Sequence, residues 1–311
     1  MKVKKPKFWD HKKPNFLSYL LLPLTLPIII NNLLRKKNGS KYQNIKTICI
    51  GNIYIGGTAK TPLTIKLYKI LKDLGYETAT IKKYYNDQND ENKLLSSKTQ
   101  FYNMDTRVKS LNKAIKDKIK IAIFDDGLQD KTIDYDLSFV CFNNDSGVGN
   151  GLLLPAGPLR ENLSNIKNYD AIFLNGNEED TSEFKKLISK YDTNIKIYET
   201  YYLPTNIEEL DRLSRYLIFS GIGNPNTFQK TLKKYNFNVV KSIEFPDHYK
   251  YSKENIEKIK LQAKSLNAKI LTTEKDYVKI VEFDCAEIDF LKVDLVIKKE
   301  KELINHIKSK L

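Results

Sequence analysis

Cysteine and histidine are scarce in this chain, and the scarcity narrows what it can be. The three cysteines, Cys49, Cys141 and Cys285, lie far apart, so they form neither a disulfide framework nor a CxxC metal pattern. Such usage fits a reducing, cytoplasmic location. With only His11, His248 and His306 in 311 residues, a histidine-rich metal site is not expected. Acids are nearly missing from one end: residues 1–41 hold nine lysines, Arg35 and a single carboxylate, Asp10. That stretch carries +9 of the total net charge of +14, which leaves +5 on the remaining 270 residues. No basic stripe runs over the body, which argues against nucleic acid as a partner. No internal repeat is visible, and nothing points to an obligate protein partner. Hydrophobic content of 41%, with 19 Tyr and 14 Phe, supplies a core and excludes wholesale disorder.

Long apolar runs are also lacking. The longest, "FLSYLLLPLTLPIII" from Phe16 to Ile30, has 15 residues and extends to Leu34 only through Asn31 and Asn32. A spanning helix needs ~20, and Pro23 and Pro27 interrupt a straight one. Lysines flank the run before it (Lys2, Lys4, Lys5, Lys7, Lys12, Lys13), and Arg35, Lys36, Lys37 and Lys41 follow it. Two-sided basic flanks suit a segment that dips into one leaflet and touches anionic headgroups. No small-x-small cleavage site follows, which argues against a signal peptide. The expectation is association with the cytoplasmic face of a membrane; a buried hydrophobic helix is the alternative.

From residue 42 onward, strand and helix patterns alternate. Lys46–Ile50, Thr78–Ile81, Lys118–Phe124, Leu137–Phe142 and Ala171–Leu174 read as strands. Pro62–Leu74, the stretch "DTRVKSLNKAIKD" and Thr181–Tyr191 read as helices. This alternation predicts an α/β fold with a mainly parallel sheet covered by helices. Thr200–Asp211 marks a boundary, giving a core over 42–205 and a smaller α/β subdomain over 206–311 with a closing helix near 300–310.

Three loops follow apolar strands in this pattern. The first, "GNIYIGGTAKTP" (51–62), departs from the phosphate-loop spelling G-x-x-x-x-G-K-[ST]: Lys60 and Thr61 are in place, but Tyr54 and Ala59 stand where glycines are required. Between strand and helix, Gly51, Gly56 and Gly57 still permit a tight turn whose amides face a phosphate. Thr61 then ligates Mg²⁺ and Lys60 neutralises transferred charge; a plain βα turn with a solvated lysine is the competing reading. Ala59 is tolerable if its backbone is right-handed rather than at positive φ. The second, "IAIFDDGLQ", ends a strand in Asp125 and Asp126, which suits a hard cation, although an Asp-Gly turn looks the same. The pleat predicts that the two carboxylates point differently. The third, Gly147–Asn162, is rich in Gly and Pro around Arg160, which is either a phosphate clamp or a surface arginine. Further along, "FPDHYKY" offers His248 beside Asp247 as a base or orienter, or as a structural hydrogen-bonder.

Taken together, these segments resemble the tetraacyldisaccharide 4′-kinase (lipid A 4′-kinase) family of Gram-negative bacteria. The resemblance runs in order through "KFW" and the apolar N-terminus, "IGNIYIGGTAKTP", "DDGLQ", "GNGLLLPAGPLRE", "SGIGNPNTF", "FPDHYKY" and "LTTEKDYVK". The family's own loop lacks the first standard glycine, so only Ala59 is unusual. The resemblance implies a P-loop NTPase-like core, with ATP on Gly56, Gly57, Thr58, Ala59, Lys60 and Thr61. It implies Mg²⁺ at Thr61, Asp125 and Asp126. "NDEN" matches the family segment that makes Asp90 the general base, with His248 as its partner. Asn150, Gly151, Arg160 and Glu161 fall in the substrate-lining loop. Departures are "KKYYN" (82–86) for Ser-Arg-Gly-Tyr-Gly, Asn89 and Asn92 for Gly and Pro, and Asp130 for His.

The implied reaction moves the γ-phosphoryl group of ATP to the 4′-hydroxyl of an acylated glucosamine disaccharide 1-phosphate. Its acyl chains would stay in the bilayer, which suits an enzyme docked on inner-membrane anionic lipids. Two other classes remain open at the level of sequence: another P-loop small-molecule kinase or GTPase, and a membrane-bound ATP binder that has lost catalysis.

Overall fold

The computed structural model describes residues 5–34, 39–85 and 89–311; Lys2, Lys4, Arg35, Lys36, Lys37 and Asn86 lie outside them. The apolar N-terminus forms helices α1 (Phe16–Leu21) and α2 (Leu26–Leu34), separated by a short 3₁₀ turn that holds Pro23. Then come β1 (Lys46–Gly51), α3 (Lys60–Asp73), β2 (Thr78–Lys83), α4 (Asn89–Lys98), β3 (Phe101–Met104), α5 (Arg107–Lys116) and β4 (Ile121–Asp125). The chain continues with β5 (Leu137–Asn143), β6 (Ala171–Asn175), α6 (Ser182–Ile188), β7 (Lys196–Pro204), β8 (Arg215–Ser220), α7 (Pro225–Lys234) and β9 (Asn238–Glu244). It closes with α8 (Lys253–Ser265), β10 (Lys269–Thr273), α9 (Glu274–Ile280), β11 (Ile288–Leu291), β12 (Val293–Ile297) and α10 (Glu300–Lys308).

The larger of two compact units contains, among the described residues, 5–84, 98–201 and 296–311. Among the described residues its sheet runs in the order β12-β7-β6-β5-β1-β4-β2-β3, and every pairing from β3 through β7 is parallel. Parallel strands are covered on both faces, which is why β1, β4 and β6 are unbroken runs of buried residues rather than alternating ones. Helix α3 buries Leu63, Leu67, Ile70 and Leu71 on this sheet. It stops where Gly75 enters the left-handed region and the amides of Gly75 and Tyr76 cap the carbonyls of Lys72 and Leu71. Lys118, at φ +64, closes α5 in the same way, so the strand expected from Lys118 begins only at Ile121.

The smaller unit contains 85–97 and 202–295. Its four strands pair in parallel in the order β11-β10-β8-β9. Phe228, Leu232 and Phe237 cover one face, and Ile256, Ile259 and Ile280 the other. Helix α8 starts at a capping box in which Ser252 and Asn255 satisfy each other's backbone amides. The units do not follow the chain in two blocks: the boundary expected near 205 falls at 201–202, residues 85–97 join the later unit, and 296–311 return to the earlier one.

Candidate active site

In the larger unit the site begins at the carboxyl end of the central strands. The β1–β4 register sets Ile50 opposite Asp125, so the strand feeding the 51–62 loop and the acid-tipped strand end side by side. The loop runs from there into the N-terminus of α3, leaving that helix's first amides available to an anion. Asn52 braces it from inside by donating to the Tyr54 and Gly56 carbonyls. Tyr54 is buried; its hydroxyl donates to Asp10 and accepts from Lys5. It therefore anchors the loop to the N-terminal segment rather than forming the turn.

Ala59 adopts φ +65, ψ +23, immediately before Lys60. The right-handed backbone that would make alanine comfortable there is not what forms: the loop keeps a glycine-like left-handed turn and places an alanine in it.

The two aspartates diverge. Asp125 is fully buried and accepts from Thr61 Oγ1 (3.0 Å), Thr64 Oγ1 (3.4 Å) and Lys82 Nζ (3.0 Å). Asp126 turns away at φ +56, and its carboxylate lies 3.8 Å from Lys60 and 3.3 Å from Arg160. Arg107 holds this turn by donating to the Asp126 carbonyl and pairing with Asp130 (3.0 Å), the residue that departs from the family histidine. The 147–162 loop lies alongside, with the Arg160 amide donating to Ile53 O and the Ile55 amide to Pro158 O. Glu161 is buried and accepts from Gln129, Asn165 and Tyr169, so its carboxylate knits the loop together. The Asn150 side chain is buried too, donating to Ser18 Oγ and the Ala156 carbonyl, which ties this loop to α1. Gly151, at φ +77, is exposed with open space beyond it.

Two buried oxygens in the phosphate loop, Thr58 Oγ1 and Asn52 Oδ1, have no hydrogen-bond partner. Buried polar groups are nearly always satisfied, so the loop has room for further hydrogen bonds, a donor from the Thr58 hydroxyl and an acceptor at Asn52 Oδ1. Thr61 and the carboxylates provide the oxygen donors that Mg²⁺ prefers. Among the described residues no group of three or more His, Cys, Asp or Glu forms a cation cage by itself. A small cation that keeps waters and phosphate oxygens as ligands does not need one.

The smaller unit holds a second cluster. Residues 158 apart in sequence meet where His248 Nδ1 lies 2.9 and 3.0 Å from the two oxygens of Asp90. Lys275 (3.5 Å) and Lys279 (3.4 Å) also face that carboxylate, and Lys275 reaches Glu91 and Asp247. Burial pushes Asp90 up, but the His248 hydrogen bond and the ammonium groups of Lys275 and Lys279 outweigh it and hold the acid well below the usual carboxylate range. An ionised carboxylate only accepts, so His248 Nδ1 carries the proton between them. For Lys275, burial works downward, while Glu91, Asp247 and Asp90 raise it well above an ordinary lysine. His248 sits at φ +56, its amide capped by the Asp247 side chain.

Lys60, Thr61, Asp125, Asp126, Arg160 and Glu161 thus gather in the larger unit, and Asp90 with His248 in the smaller. Reading the sequence missed Lys275, Lys279, Lys82 and Arg107. Lys275 and Lys279 had a signal: behind the Thr273 cap, an i,i+4 pair shares one face of α9.

A phosphate loop before a helix, an acid-tipped neighbouring strand and a mainly parallel, helix-covered sheet define a P-loop NTPase-like nucleotide-binding protein. Residues 17–311 match the family described as LpxK, tetraacyldisaccharide-1-P 4′-kinase. The tetraacyldisaccharide 4′-kinase of Pelagibacter ubique is 50% identical over 309 residues, covering 99% of this chain and 98% of its own. The enzyme of that name from Rickettsia bellii is 32% identical, covering 90% of each. A crystal structure of LpxK from Aquifex aeolicus in complex with ATP shares the fold, with a TM-score of 0.72 at 23% identity, covering 95% of this chain and 99% of that one. The chain belongs to the tetraacyldisaccharide-1-P 4′-kinase family. It is an ATP-dependent phosphotransferase with an alcohol group as acceptor.

Proposed function

We propose that Asp90 is the general base for phosphorylation of the 4′-hydroxyl of a tetraacyl glucosamine disaccharide 1-phosphate, with His248 holding it in place. The observation that carries this is the two-oxygen contact of His248 Nδ1 with a buried, ionised Asp90. ATP lies on 56–61, where Lys60 meets its phosphates. As the acceptor oxygen bonds to the γ-phosphorus, the bond from that phosphorus to the β-bridging oxygen breaks, ADP leaves, and the hydroxyl proton passes to Asp90. Mg²⁺, held by Thr61 with Asp125 and Asp126 nearby, supplies charge neutralisation on the phosphates when bound. Arg160 and Lys60 hold Asp126, so the cations nearest the phosphates are fixed before ATP arrives. Asn150, Gly151, Arg160 and Glu161 shape the acceptor side.

The N-terminal segment fits a membrane surface. Phe16 is 79% exposed, and Tyr19, Leu20, Leu24 and Leu26 stand out beside it, a patch too apolar to face water alone. Among the described residues no helix is long and apolar enough to cross a membrane. Our reading of the segment is that it lies in one leaflet on the cytoplasmic side of the inner membrane, its lysines on anionic lipids and the acyl chains of the acceptor beside it. The test is transfer of labelled γ-phosphate from ATP to the detergent-dispersed disaccharide 1-phosphate. Asp90→Ala is expected to lose about 10²–10⁴-fold in rate, and His248→Ala to follow it. Near wild-type rates in a folded Asp90→Ala protein would rule out the base assignment.

A further inference from the structure

Lys82 is the largest fully buried charged side chain among the described residues: it is 1% exposed, and the Asp125 it meets is fully buried. The contact is built into the sheet. β2 and β4 pair in parallel with Ile81 opposite Phe124, so the next residue along each strand, Lys82 and Asp125, stands side by side at the carboxyl edge. Asp125 Oδ2 accepts from both Lys82 and Thr61, and Oδ1 from Thr64. The carboxylate next to the phosphate loop is thus already neutralised and hydrogen-bonded by this chain's own groups. A buried lysine is costly unless paired, so its position on this carboxylate calls for a role.

We propose that Lys82 is a positioning residue that acts as the resident counter-cation of the phosphate site, fixing Asp125 on Thr61 and lowering the dependence of nucleotide binding on a divalent ion. The inference rests on the reading that ATP occupies the 56–61 loop. Charge counting gives its direction. Lys60, Arg160 and Lys82 face Asp125 and Asp126, which leaves the metal-free site one unit positive. Without Lys82 the same groups sum to zero, and the polyanionic phosphates meet an uncompensated buried carboxylate. A divalent ion must then supply what the lysine supplied.

The test is the affinity of the full chain for a fluorescent ATP analogue in excess EDTA and in Mg²⁺, for wild type, Lys82→Met and the double variant Lys82→Met/Asp125→Asn. Manganese resonance without nucleotide is recorded in parallel. Wild type is expected to bind within about tenfold under the two conditions. Lys82→Met is expected to widen the gap by about tenfold or more and to take up Mn²⁺ without nucleotide. The double variant, which removes both charges together, is expected to restore the narrow gap. An unchanged gap in folded Lys82→Met overturns the proposal while leaving the ATP site intact. If Lys82→Met does not fold, the wild type decides: a metal requirement beyond about a hundredfold, or tight Mn²⁺ binding without nucleotide, overturns it equally. A wild type that binds no nucleotide even in Mg²⁺ refutes instead the underlying assignment of the loop.

Discussion

The left-handed alanine of the phosphate loop offers a prediction whose size follows from the backbone. Ala59 holds φ +65 and ψ +23 with no side-chain cap for α3. An L-residue other than glycine loses roughly 1–2 kcal/mol in that conformation, because Cβ crowds the neighbouring carbonyl. Ala59→Gly removes that penalty but gives the unfolded chain about 0.4–1 kcal/mol of extra conformational freedom. The difference is a net stabilisation of about 0.5–1 kcal/mol. For a unit of this size each kcal/mol moves the melting midpoint by about 2–4 °C, so the gain is about 1–4 °C. Differential scanning calorimetry without nucleotide reads it, and saturating Mg-ATP identifies which transition belongs to the loop's unit, because a ligand raises only the transition of the state that binds it. A midpoint that stays put or falls would mean that Ala59 is relaxed by contacts outweighing its dihedral, and the reasoning fails.

Three further outcomes follow from the surface and from the charge cluster. Phe16→Glu with Leu20→Glu, both on the exposed face of α1, is expected to weaken binding to anionic vesicles by about tenfold or more; co-sedimentation at low and high salt checks it, since the lysine contribution fades with ionic strength. Asp90 has a folded pKa below its unfolded one, so its contribution to stability is present above the unfolded value, about 3.9, and is lost as pH falls through the folded value. The stability gap between wild type and Asp90→Asn in urea titrations should therefore be full at pH 7 and close in strong acid. Asp90 also stays ionised through the neutral range, so Lys275→Met, which strips one of its cations, should move the acid limb of kcat/KM upward.

Much of the fold was legible because parallel strands announce themselves. Buried on both faces, the runs at 48–50, 139–142 and 171–174 contain nothing polar, and the turn chemistry after each is local. Less of it showed at the edges. The short β3 and the half-exposed β9 lack that signature, and α4 begins in a polar stretch that reads as a loop. The candidate site divides in the same way. Lys60, Thr61 and the Asp125–Asp126 pair are placed by strand ends and a helix start, which neighbouring residues control. Nothing local joins Asp90 to His248, or turns Tyr54 from a missing glycine into a buried anchor.

An α/β chain with a phosphate loop, an acid-tipped strand and an apolar, basic N-terminus can be read from residue types alone, because each depends on spacing within one turn or strand. Which charges meet is a matter of three-dimensional packing. Sheet register set Lys82 beside Asp125, packing of residues 89–97 with 202–295 set Asp90 under His248 and between two lysines, and the turn into α3 imposed its left-handed backbone on Ala59. Those outcomes rest on distances through space between segments far apart in the chain, where burial strengthens every charge pairing and no local pattern records the partner.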